Sequence, residues 1–248
     1  VGTTSRAATA AGGSTTAGAA AGERTGETGE GALGTGNAGP ATLAGIPIAV
    51  KDNIDTVDLG CTAGSVLLKN VQIESNAPLI EALTRAGATI IGKTNLTEWA
   101  NFRSSRSTTG WSSAGRQTRN PHDRKRTPCG SSSGSATAVA AGLVPVAIGT
   151  ETDGSIICPA ATQGIVGFKP TIVRVSQTGI VPISRSQDTA GPMATCVTDA
   201  WLVQQVLEQT QEMGSPGDVS AQLAPADLSS SRIGIYPPGD SIHPEVRG

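Results

Sequence analysis

The chain has 248 residues, a formal charge of −2, 37% hydrophobic residues and 15% charged ones, enough for one large domain or two modest ones with a substantial core. The near-neutral charge argues against a nucleic-acid surface, which needs a concentrated positive patch, and no apolar stretch approaches the roughly 18–20 residues of a membrane span. Cys61, Cys129, Cys158 and Cys196 lie far apart, and with only His122 and His243 beside them no metal site forms at a recognisable spacing, so the cysteines read as buried or half-buried thiols.

Residues 1–43 are almost entirely Gly, Ala, Thr, Ser and Glu, and Val1, Leu33 and Leu43 are their only bulky aliphatics. So little apolar surface does not offset the entropy of ordering a chain, and this low-complexity segment reads as disordered. It carries no apolar core of the signal-peptide kind. Residues 44–248 read as one domain. The apolar run GIPIAV (45–50) predicts a buried strand that ends at Lys51. Residues 77–86 place Leu79, Ile80 and Leu83 at helical spacing, with Gly87 as a stop. ATII (88–91) predicts a second strand, followed by a short helix through Glu98, Trp99 and Phe102, the two aromatic side chains packing in the core. A small-residue helix ends at Gly142, VPVAI (144–148) is a strand, residues 165–168 another, residues 199–209 a helix, and residues 233–236 a last strand. Strands alternating with helices predict an α/β fold, a mixed sheet covered by helices on both faces.

The chemistry concentrates in two segments, PCGSSSGS (128–135) and GTETDGSIICP (149–159). The first formally matches the G-x-S-x-G nucleophile elbow, but a polar loop with two prolines stands where the elbow needs a strand. A phosphate cradle fits poorly too, because Ser135 and Ala136 stand where a P-loop carries lysine. A Gly/Ser turn capping the next helix is the plainest account of those eight residues alone. The second segment leaves a strand through a tight turn into a helix. Successive backbone N–H groups there can converge on one point, with Ser155 in the same positive field. A nucleophilic serine needs a base. Neither histidine sits at a strand end, whereas Lys51 directly follows an apolar strand, where burial disfavours its charge; a surface pair with Asp52 is the plainer reading of that lysine.

Taken together, GIPIAVKDNID, GKTNLTEWANF, CGSSSGSA and GTETDGSIICPAATQGIVGFKPT resemble the amidase signature family, and within it the bacterial peptide amidases, which remove a C-terminal amide. The resemblance covers about residues 43–201. It implies the family's fold, a mixed sheet between helices, with the C-terminal part of the usual chain missing. By position, Lys51 matches the family's general base, Ser131 the proton-relaying serine whose preceding peptide bond is cis, and Ser155 the nucleophile that forms the acyl-enzyme. The N–H groups of Thr152, Asp153, Gly154 and Ser155 match its oxyanion hole. Ala100 and Asn101 match the region lining the substrate channel, and Asp188 lies in a segment bordering the site. Lys93 and Lys169 read as structural. The resemblance implies a small-molecule or peptide amide as substrate and requires no metal or cofactor, nucleic acid or membrane. Its alternative is the glutamine-hydrolysing subunit of an amidotransferase complex.

Overall fold

The computed structural model describes residues 43–208 together with Ser229 and Arg232. The low-complexity segment before Leu43, the strand expected at residues 233–236 and His243 lie outside the described residues. Strand β1 (Pro47–Lys51) leads through a 3₁₀ turn (Val66–Leu68) to helix α1 (Pro78–Arg85), β2 (Thr89–Thr94) and a second 3₁₀ turn (Glu98–Asn101). A small hairpin, β3 (Trp111–Ser112) and β4 (Arg116–Gln117), precedes α2 (Ser133–Ala140) and β5 (Val146–Glu151). Then come α3 (Ile157–Gln163), β6 (Val166–Gly167), β7 (Thr189–Ala194) and α4 (Val197–Glu208).

The main sheet has the order β2-β1-β5-β7-β6. The pairs β2-β1 and β1-β5 are parallel, and β5-β7 and β7-β6 are antiparallel. The sheet is therefore mixed, as expected, and β5 is where its two halves meet. Alternation along each strand explains the two covered faces. Ile48 and Val50 of β1 join Val146 and Ile148 of β5 in one apolar cluster with Leu79, Ile80 and Leu83 of α1 and Val203, Val206 and Leu207 of α4. Each leucine there is worth about 1.5–3 kcal/mol of burial. On the opposite face Ala49 and Ala147 present only methyl groups, and α2 comes close through Ala138 and Val139.

That close approach decides the glycine of the serine-rich segment. A Cβ on Gly134 would stand 2.4 Å from the backbone oxygen of Asn95, to which the Gly134 N–H donates. Gly191 is equally constrained, since a Cβ there would lie 2.1 Å from the Phe168 carbonyl oxygen.

One strand carries no signal in the sequence, and two expectations need correction. Residues 189–194 form a buried strand, although Gly191 and Pro192 disfavour one; pairing along the whole of β5 overrides that preference. Phe102 is 73% exposed and not in the core, and Trp99 is only half-buried. The reason is local, because Trp99, Ala100 and Asn101 all have left-handed backbone angles (φ 55°, 51° and 74°) that turn the aromatic pair outward. Lastly, Cys129 and Cys158 are joined in a disulfide with Cα atoms 5.9 Å apart, so only Cys61, buried, and Cys196, exposed, are thiols.

Candidate active site

β1 and β5 run parallel, so their carboxyl ends reach the same edge of the sheet, and β7, running the other way, brings its amino end there. This is the edge at which open α/β sheets place ligands. It delivers Lys51, Thr150 and Glu151, and Asp188 just ahead of β7, to one place.

Lys51 is fully buried. Its Nζ donates to Ser131 Oγ at 2.8 Å, to Thr150 Oγ1 at 2.8 Å and to the Thr150 carbonyl at 3.1 Å; in the neutral amine the Ser131 contact reverses, the hydroxyl donating to the nitrogen lone pair. Burial pulls its pKa down from the ordinary lysine value to about 7, while the charges of Glu151 and Asp188 act in the opposite sense. The surface pair with Asp52 does not form; Asp52 instead faces Lys93, at 3.4 Å.

Ser131 follows a cis peptide bond from Gly130. Its carbonyl accepts from Thr97 N–H at 3.0 Å, which ties the serine-rich turn to the segment after β2. Ser132 fastens the same turn to β5, its Oγ donating to the Thr150 carbonyl at 3.0 Å and accepting from Thr150 N–H at 3.2 Å. The Ser132 N–H in turn donates to the Ser155 carbonyl at 3.1 Å. The two serines are thus coupled through backbone. Ser131 and Ser155 line one small cavity, together with Asn53, Ala100, Thr150, Glu151, Thr152, Ile180, Val181, Ile183 and Asp188. Among the described residues Ser155 Oγ makes no direct hydrogen bond to Ser131 Oγ, and the direct side-chain bond is the one from Lys51 to Ser131.

The turn from β5 into α3 is held from beneath. The Glu151 carboxylate accepts from Ile156 N–H and, at 2.9 Å, from Ile157 N–H, capping the helix start. Between these anchors, the N–H groups of Thr152, Asp153, Gly154 and Ser155 take part in none of the loop, turn or cap bonds among the described residues. Of these four residues Thr152 and Ser155 line the cavity, and Asp153 and Gly154 are not among its lining residues. Asp188 steadies the other side of the opening. It accepts from the Thr152 hydroxyl and from the N–H groups of Ile183 and Ser184, both at 2.8 Å. A second, more apolar cavity of about 190 Å³ adjoins the first, sharing Asn53, Ala100, Val181 and Ile183 with it and adding Trp99, Phe102 and Arg103.

Of the residues singled out in the sequence, Lys51, Ser131, Ser155, Thr152 and Ala100 line or feed this site. Asn101 is exposed and lines neither cavity. Lys93 lies one strand away, donating to the carbonyls of Ile54 and Gly60. Sequence reasoning missed Thr150 and Glu151; a hydroxyl and a carboxylate ending the apolar run VPVAIG were the available signal. It also missed Asn53, a polar residue two positions beyond the lysine. Among the described residues no group of three or more His, Cys, Asp and Glu side chains could hold a metal ion, and no helix is long and apolar enough to cross a membrane.

Known proteins share this architecture. The family model described as Amidase matches residues 15–248. Peptide amidase from Stenotrophomonas maltophilia superposes with a TM-score of 0.67 at 52% identity, over 71% of this chain and 37% of that one. An amidase family protein from Bacillus anthracis superposes at 0.65 with 44% identity, over 66% and 33% of the two chains. A Glutamyl-tRNA(Gln) amidotransferase subunit from Methanosarcina barkeri is 42% identical over 217 residues, 85% of this chain and 44% of that protein. The chain thus spans less than half the length of these relatives. With nearly its whole length matched by the family model, the chain belongs to the amidase family.

Proposed function

We propose that the protein hydrolyses carboxamide bonds, with C-terminal peptide amides as substrates, through an acyl-enzyme on Ser155 activated by Ser131 and Lys51. The observation that carries this reading is a buried lysine, its pKa lowered to about 7, bonded to Ser131, which lines one cavity with Ser155 and Thr152. A neutral amine can accept a proton, and Lys51 is hydrogen-bonded to the Ser131 hydroxyl.

In this mechanism Lys51 takes the proton of Ser131 as Ser131 takes that of Ser155, whose oxygen attacks the amide carbon. Charge develops on the carbonyl oxygen, which the N–H groups of Thr152, Asp153, Gly154 and Ser155 receive. A single donor in such a position is worth about 10²–10³ in rate. Ser131 returns a proton to the leaving nitrogen, ammonia departs, and water repeats the relay to release the acid. Substrate, one water, the serines and the lysine supply every atom and proton the scheme requires.

The preference for a peptide amide rests on the 52% identity to the Stenotrophomonas enzyme and on the apolar cavity beside the nucleophile, which suits an acyl-side residue. The test is ammonia release from a short C-terminally amidated peptide by the wild type and by Ser155→Ala, with free glutamine as second substrate. Ammonia from the peptide, reduced at least about 10⁴-fold in the variant, is the expected result. Ammonia from glutamine alone would move the assignment to the glutamine-hydrolysing component of an amidotransferase.

A further inference from the structure

The catalytic cavity is lined by hydrogen-bonding groups of two kinds that the protein leaves unused. One kind is the N–H donors of Thr152 and Ser155. The other is an acceptor on Asn53. Asn53 is 2% exposed and lines both the catalytic cavity and its apolar neighbour. Its Nδ2 donates to Thr150 Oγ1 at 3.0 Å, and its backbone carbonyl accepts from Val181 N–H at 2.9 Å. Backbone and side chain are therefore both held in place. Its Oδ1 is buried and has no hydrogen-bond partner among the described residues. Native proteins rarely leave such an oxygen unpaired, so an unpaired one lining a cavity marks where another molecule donates.

Unused donors and an unpaired acceptor on residues lining one cavity match the polarity of one functional group. A carboxamide carries an acceptor oxygen and a donor N–H on the same carbon. An ester offers the first without the second, and so does a carboxylate. We propose that Asn53 Oδ1 accepts a hydrogen bond from the N–H of the scissile carboxamide and is the residue that makes this site prefer an amide to the corresponding ester. The inference rests on the amidase reading above and adds a specificity determinant to it. Holding one N–H on Asn53 leaves the nitrogen lone pair free to turn toward Ser131, which must protonate it. An ester would instead set its alkoxy oxygen against Oδ1, two acceptors facing each other without a proton between them. The product, once ionised to a carboxylate, has the same mismatch, so the contact that favours substrate does not retain product.

The measurement is kcat/KM, which reports acylation, for an N-acyl amino acid amide and for the methyl ester of the same acid. Both are assayed with the 248-residue chain as wild type and as Asn53→Ala. Removing Asn53 also frees the Thr150 hydroxyl beside Lys51, and that disturbance lowers both substrates together and cancels in their ratio. The amide is expected to lose about tenfold to a hundredfold and the ester no more than about threefold. Asn53→Ser, with a shorter hydroxyl on the same backbone, is read by the same ratio if the alanine variant does not fold. A wild type that turns over both substrates, with an amide-to-ester ratio unmoved in the variants, would overturn the role of Asn53 and leave the amidase reading standing. A wild type active on neither substrate, or on the ester alone, would overturn both.

Discussion

Lys51 and Lys93 stand on neighbouring strands, one pair out of register, with Val50 opposite Lys93 and Lys51 opposite Thr94. Burial depresses the pKa of both, yet their surroundings differ in kind. Lys93 faces the Asp52 carboxylate at 3.4 Å and two backbone carbonyls, the Gly60 oxygen at 2.6 Å. Lys51 touches the hydroxyls of Ser131 and Thr150 and one carbonyl. The carboxylates nearest to it are committed elsewhere, Glu151 to the start of α3 and Asp188 to Thr152 and the 183–184 backbone. They raise its pKa from a distance without pairing with it. Desolvation is common to both lysines, and the contact carboxylate separates a strut from a base. An amine surrounded by hydroxyls can give up and regain a proton near neutrality, whereas one against a carboxylate keeps its charge.

The contrast predicts different outcomes at the two positions. Replacing Lys51 by Met should lower kcat/KM for a peptide amide by about 10³–10⁵-fold with the fold retained by circular dichroism; a loss under about tenfold would remove Lys51 from the relay. The pH profile is next in size. Protonated Lys51 cannot accept a proton, so with its pKa at about 7 kcat/KM should climb about tenfold per unit below pH 7 and level above it. A flat profile between pH 6 and 8 would place the base elsewhere. The smallest effect on activity belongs to Lys93→Met, with turnover per folded molecule within about threefold. Its cost appears in urea unfolding, as about 2–4 kcal/mol from leaving Asp52 and two carbonyls without their cation. Inactive but fully stable Lys93→Met protein would reverse the assignment of the two lysines.

Much of this was legible in the sequence because the relevant signals are local. The run GIPIAV before Lys51 set both the strand and the burial of the amine, and the Gly and Ser residues of 130–135 set the tight turn on which the serines sit. What escaped depends on distant partners. The strand at 189–194 exists because β5 pairs along its full length, and no period within TAGPMA announces it. Phe102 looked like a core residue until three consecutive left-handed residues turned it outward. Thr150, Glu151 and Asn53 acquire their roles only when β1 and β5 lie side by side, which brings residues 97 positions apart into hydrogen-bond contact.

The Cys129–Cys158 bridge closes a loop with a sequence separation of 29. Ser131 lies two residues inside one end and Ser155 three residues inside the other, while Lys51 is outside. Both reacting hydroxyls therefore belong to one covalent ring, and the base arrives from a separate stretch of chain. On the chain-entropy account, closing a ring of that size removes about 3.5 kcal/mol of freedom from the unfolded state. That restriction falls on the segment whose two ends must meet for chemistry to occur. The pair of serines is thus kept within tether's reach in the unfolded molecule, and only the lysine strand has its whole distance to search.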